Sequence, residues 1–159
     1  MFTSICFTFI LLYILYSISI EDINTMLISE NKLISFAISG LLYLLCIGLS
    51  NGKIYTIKLI LNKSFSMLLI YILMFSISYI SYKIYGVNSL GMGDIKLSSV
   101  STLWLGIELS FLSLCISFVL SAMYSLHGKL TKRLIPLQQY PFAPFISIGI
   151  FYSWIIDKI

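Results

Sequence analysis

Six carboxylates punctuate a chain of 159 residues of which 59% are hydrophobic and only 10% charged. Two of the six stand where chemistry is feasible. Asp22 comes directly after the first long apolar run, and Asp94 closes a glycine-bearing loop, GVNSLGMGD, just ahead of another. Held at one depth in a membrane, such a pair suits peptide hydrolysis. One ionised carboxylate takes a proton from water while its protonated partner polarises the scissile carbonyl. Two carboxyls about 3 Å apart cannot both ionise, so the pair holds one proton over a useful pH range and titrates as a unit. A weakly hydrated interface strengthens that coupling. Gly91 and Gly93, without Cβ, permit positive φ and let backbone approach the reacting group closely. Simpler readings exist for the same residues. An Asp that ends a transmembrane helix also serves as a solvated flank or as the cap of the next segment, and GMGD by itself is a common turn.

The elements that would position this pair follow from hydropathy. A mean hydropathy of +1.01 lies far above soluble values, which identifies a membrane protein. A bilayer core about 30 Å thick needs roughly 20 apolar residues per helical crossing, so the chain has room for at most about six crossings and for no soluble domain. The apolar runs are continuous and rich in Leu and Ile rather than alternating, which points to helices and away from a closed barrel. The expected fold is all-α, with about six transmembrane helices in one domain over residues 1–159. Residues 2–20, 33–50, 64–85 and 141–156 form four of them. Residues 51–63, with Lys53, Lys58 and Lys63, are expected as a loop or short surface helix. Residues 97–126 are too long for one crossing and read as a hairpin turning at Gly106 to Glu108, since a carboxylate at mid-bilayer costs about 3 kcal/mol on insertion scales. The first run has no basic start and no small-residue cleavage site, so a retained helix is expected rather than a signal peptide.

Charge orients this arrangement only slightly. Loops at 21–32, 83–96 and 127–133 hold Lys32, Lys83, Lys96, Lys129, Lys132 and Arg133, against Lys53, Lys58, Lys63 and Lys158 on the other side. The positive-inside rule then favours the aspartates facing the cytoplasm. The ten cations are scattered with no dense block, so nucleic acid is not an expected partner, whereas membrane lipid is. Cys6, Cys46 and Cys115 each lie alone in an apolar run and read as small packing residues, which indicates neither a metal site nor a disulfide framework. No cofactor is expected. His127, the sole histidine, sits in a basic stretch and reads as solvated or bound to headgroups. Lys96 has two readings, an electrostatic partner of Asp94 or a side chain snorkelling to the headgroups. Glu21 and Glu30 are expected to be solvated, or to attract a basic peptide.

GMGDIKL, residues 91–97, resembles the GxGDxKL signature of the type IV prepilin peptidases and preflagellin peptidases. Asp22 with Ile28 is similar to that family's first-aspartate block, and PFAPF at 141–145 resembles its PFGPF-type entry to the last helix. Ser29 stands where the family usually has Pro, Glu30 where it has Asn or Asp, and Ala143 where it has Gly. The resemblance implies an aspartic endopeptidase with Asp22 and Asp94 as the catalytic pair and Gly91, Gly93 and Lys96 as supporting motif residues. It implies a substrate that is a type IV prepilin or a type II secretion pseudopilin with a basic leader, cut at the cytoplasmic face of a bacterial inner membrane. Family members with an N-terminal cysteine-bearing domain also methylate their product. These residues carry no such pattern, and methylation is not expected of them. A small ion- or proton-coupled transporter or a membrane scaffold is the competing class. Acidic residues near helix ends rather than at mid-depth, and no visible inverted repeat, favour the peptidase.

Overall fold

The computed structural model describes residues 2–86, 90–131 and 139–158. Among the described residues the chain forms six helices: α1 (Phe2–Thr25), α2 (Glu30–Asn51), α3 (Lys53–Tyr85), α4 (Met92–Leu105), α5 (Ile107–Leu130) and α6 (Ala143–Ile156). Helices α1, α2, α3 and α5 are long and apolar enough to cross a bilayer, and most of their surface faces outward. Phe9, Tyr13, Tyr16, Ile54, Leu61 and Leu130 are all exposed on that outer surface, an arrangement that only a lipid solvent makes favourable. The fold is an all-α, multi-pass membrane bundle. The cysteines, expected as packing residues, instead lie exposed on its outside.

Helices α4 and α6 are 14 residues each, about 21 Å of helix against a core of about 30 Å. Such short helices end within the bundle, and their termini need partners there. Every residue of α4 from Ile95 to Leu105 except Lys96 is buried. The turn between α4 and α5 falls at Gly106, at the start of the expected hairpin turn, with φ 84°. A side chain there would be strained and would also meet Lys63 Nζ. Several boundaries differ from the sequence expectation. Helix α1 continues past Ile20 to Thr25, because EDINT contains no breaker and the chain turns only at Met26, whose φ is 52°. The segment 51–63, expected as a loop or short surface helix, is helical from Lys53 and forms the first third of α3, a rod of 33 residues, about 50 Å long. Nothing between Gly52 and Gly86 interrupts it, since neither glycine nor proline occurs there, and its lysines need only reach along the rod toward water.

Helix α6 lies antiparallel to α1. Ala143 at its start donates to Asp22, and Trp154 Nε1 near its end donates to Thr8 Oγ1 at 2.9 Å. Around Trp154 and Trp104 the far end of the bundle is an aromatic core with Tyr43, Phe36 and Phe7. Gly149 lets α6 press against α5, for a Cβ there would stand 2.4 Å from the Ser113 carbonyl oxygen. This tight seam and the aromatic core fix how far α6 reaches toward the other end, where the carboxylates are.

Candidate active site

Asp22 lies in the last turn of α1 and is 5% exposed despite its charge. Its Oδ2 accepts the Ala143 N–H at 2.9 Å, and the Phe142 N–H also points at the carboxylate. These amides belong to the first turn of α6, which has no partner for them within its own helix. The reason for the PFAPF block is therefore local: Pro141 and Pro144 set the entry to α6, and the fully buried Ala143 brings its amide against Asp22.

Asp94 is the third residue of α4, after Gly91 at the cap position, and its carboxyl folds back toward the Gly91 amide. A Cβ on Gly91 would stand 3.2 Å from Asp94 Oδ2. Burial and the nearby Asp22 charge push the Asp94 carboxyl up to about 7, with the Gly91 N–H acting in the opposite direction. The positive end of α4 also favours the charged form, but a helix terminus contributes about 0.3–1 kcal/mol. Desolvation of a buried carboxyl reaches several pKa units at about 1.4 kcal/mol each, so burial wins. Asp94 Oδ1 is buried and has no hydrogen-bond partner among the described residues.

Neither glycine uses the positive φ that it permits. Gly91 has φ −70°, and Gly93 lies within the first turn of α4. Each instead makes room. Gly91 admits the Asp94 carboxyl, and Gly93 admits Ile28, whose Cβ would be 3.1 Å from a Cβ at 93. Three separated stretches of sequence thus meet at one place: 22–28, 91–94 and 141–143.

Both aspartates line a cleft of about 770 Å³ that runs beside α3 and α5. Phe75, Tyr79, Tyr82, Tyr85, Phe118 and Tyr140 give it aromatic walls. The Ser121 and Tyr140 hydroxyls hydrogen-bond across it at 2.7 Å. Asp22, Asp94, Met26, Gly91 and Met92 also border a smaller hollow of about 260 Å³ toward Ile28, Glu30 and Lys96. The carboxyl pair therefore forms part of the wall shared by the two spaces. Sequence reasoning missed the tyrosines, although Tyr79, Tyr82 and Tyr85 recur every three residues, a spacing that puts them along one side of a helix.

Lys96 pairs with Glu30 at the start of α2. Its ion pair is with Glu30, a partner that neither of its two readings included. Glu21 is not free either. Its Oε2 accepts from the Ser29 N–H at 3.1 Å and the Ser29 hydroxyl at 3.0 Å, and Lys32 Nζ lies at 3.4 Å. His127 is exposed near the end of α5 and lines neither hollow. Lys132 and Arg133 lie outside the described residues.

Compared with known proteins, residues 9–126 match the model of the type IV leader peptidase family, a span that includes both aspartates and stops short of the PFAPF block. No curated protein and no solved structure matches the chain. The match covers well over half of the sequence, and this multi-pass membrane protein belongs to the type IV leader peptidase family.

Proposed function

We propose that this protein is an aspartic endopeptidase that removes the leader peptide of type IV prepilins or type II secretion pseudopilins, with Asp22 and Asp94 as its catalytic pair. The observation that carries the reading is the convergence of these two buried carboxyls, from α1 and α4, on one cleft open beside α3 and α5. Burial and the neighbouring Asp22 charge push the Asp94 carboxyl up to about 7, which favours Asp94 as the protonated member of the pair. It polarises the scissile carbonyl while Asp22 takes a proton from the attacking water. The water oxygen bonds the carbonyl carbon, the C–N bond breaks as Asp22 passes the proton it took to the leaving amine, and the pair returns to one proton with a carboxyl and an amine as products. The aromatic cleft suits a single-pass apolar substrate helix arriving sideways through the lipid, which places its basic leader at the membrane surface. The membrane is a bacterial inner membrane and the face is the cytoplasmic one, in keeping with the slight excess of cations on the aspartate side.

The test is cleavage of a precursor carrying a short basic leader that ends in Gly before a Phe-initiated apolar helix. Asp22→Asn and Asp94→Asn keep size and most hydrogen bonding but remove the shared proton, and each should lower cleavage at least about 1000-fold while inserting normally. Residues that act as one unit are not additive, so the double variant should be scarcely worse than either single one. Full processing by either stably inserted single variant would return the transporter or scaffold reading to first place.

A further inference from the structure

Between the two aspartates the chain makes a short turn, residues 26–29, that few backbone contacts hold. Met26 N–H bonds Asp22 O at 2.8 Å, and Leu27 N–H reaches Thr25 Oγ1 at 3.3 Å. Met26 carries φ 52°, in the left-handed region that a side-chain-bearing residue adopts at a cost of about 1–2 kcal/mol. Ile28, two residues on, seats its side chain on Gly93. The position of this turn therefore governs how α4 and Asp94 stand against α1 and Asp22.

We infer that Glu21 is a positioning residue for the carboxyl pair, acting as a clamp on Ser29. Its Oε2 takes both donors of Ser29, the backbone N–H and the hydroxyl. Lys32 Nζ holds the same oxygen at 3.4 Å and donates to the Ser17 carbonyl at 2.8 Å, which ties the clamp back to α1. A closed circuit results. Asp22 is bonded in sequence to Glu21, Glu21 grips Ser29, Ser29 follows Ile28, Ile28 packs on Gly93, and Gly93 precedes Asp94. Loosening the clamp frees a turn that is already strained and lets the two carboxyls drift apart. The inference rests on the peptidase reading and adds a residue that touches neither substrate nor reacting atoms.

The geometry also supplies its own rescue. Ser29 has φ −66° and ψ 138° at the cap of α2, a backbone that proline holds without any hydrogen bond. Proline at 29 removes the donor that Glu21 serves and restrains the same residue covalently.

The experiment measures kcat and KM of the full-length protein in membranes on the same precursor. Glu21→Ala should lower kcat at least 10-fold with KM within about 2-fold, since positioning of the pair and not substrate binding is lost. Glu21→Asp keeps the charge but is one methylene short, and should lose kcat likewise, which keeps the test alive if the alanine variant fails to accumulate. Ser29→Pro added to either should restore kcat to within about 3-fold of wild type. Unchanged kcat in both Glu21 variants, or loss that Ser29→Pro leaves uncorrected, overturns the clamp. Asp22→Asn and Asp94→Asn measured alongside separate the two ideas. Active Asn variants sink the peptidase reading, whereas inactive Asn variants beside fully active Glu21 variants sink the clamp alone.

Discussion

At the scale of single residues, burial of the Asp94 carboxyl decides most. Its carboxyl sits at about 7 in the folded protein against an ordinary value of 3.8. Between those values the folded chain holds a proton that the unfolded chain has lost, so stability falls as pH rises from about 4 to about 7 and then levels off. Asp94→Asn removes this slope. The melting temperature of the detergent-purified variant should exceed wild type at pH 8 by more than it does at pH 4, and a difference independent of pH would mean that the carboxyl is not desolvated. Catalysis should respond in the same window. With the shared proton required, kcat falls as pH climbs through about 7. Lys96 is held by Glu30 on an exposed surface, so Lys96→Met should leave that pH profile in place, and a displaced alkaline limb would reassign the lysine to the pair.

The elements transmit their packing to the site through α6. Its start holds Asp22, while its middle is pressed on α5 at Gly149. A methyl at 149 meets the Ser113 carbonyl oxygen at 2.4 Å, and backbone cannot swing aside as a flexible side chain can. Gly149→Ala should therefore cost about 1–3 kcal/mol, read as a lower melting temperature, together with a fall in kcat as the Ala143 amide withdraws from Asp22. Equal stability and activity would show that the α5–α6 seam relaxes freely. Gly106 behaves differently: the nearest atom to its added Cβ is the tip of the Lys63 side chain, and its penalty is the positive φ.

Across the whole molecule, the described helices sort their ends into two faces. Asp22, Asp94 and the start of α6 share one, while Gly52, Gly106 and Lys158 lie at the other, where Lys63 reaches toward Gly106 and Asp157. Reporter fusions after Gly52 and after His127 should read opposite sides of the membrane. The same side for both would break this arrangement. Because α3 is one rod from Lys53 onward, a fusion after Gly52 leaves it uninterrupted.

Composition and run length determined that this is a multi-pass helical membrane protein, because apolar length against bilayer thickness is a one-dimensional property. The hairpin turn near Gly106 was legible for the same reason, and the GMGDIKL stretch named the family because its residue types are unusual together. Helix ends were less legible. EDINT looks polar enough to be a loop, yet nothing in it breaks a helix, and burial against α6 rather than local propensity keeps Asp22 inside α1. The roles of the glycines, the engagement of Lys96 with Glu30 and the grip of Glu21 on Ser29 were decided only in three dimensions. Each depends on which surface another helix brings within a few ångströms, and spacing along the chain carries no record of that.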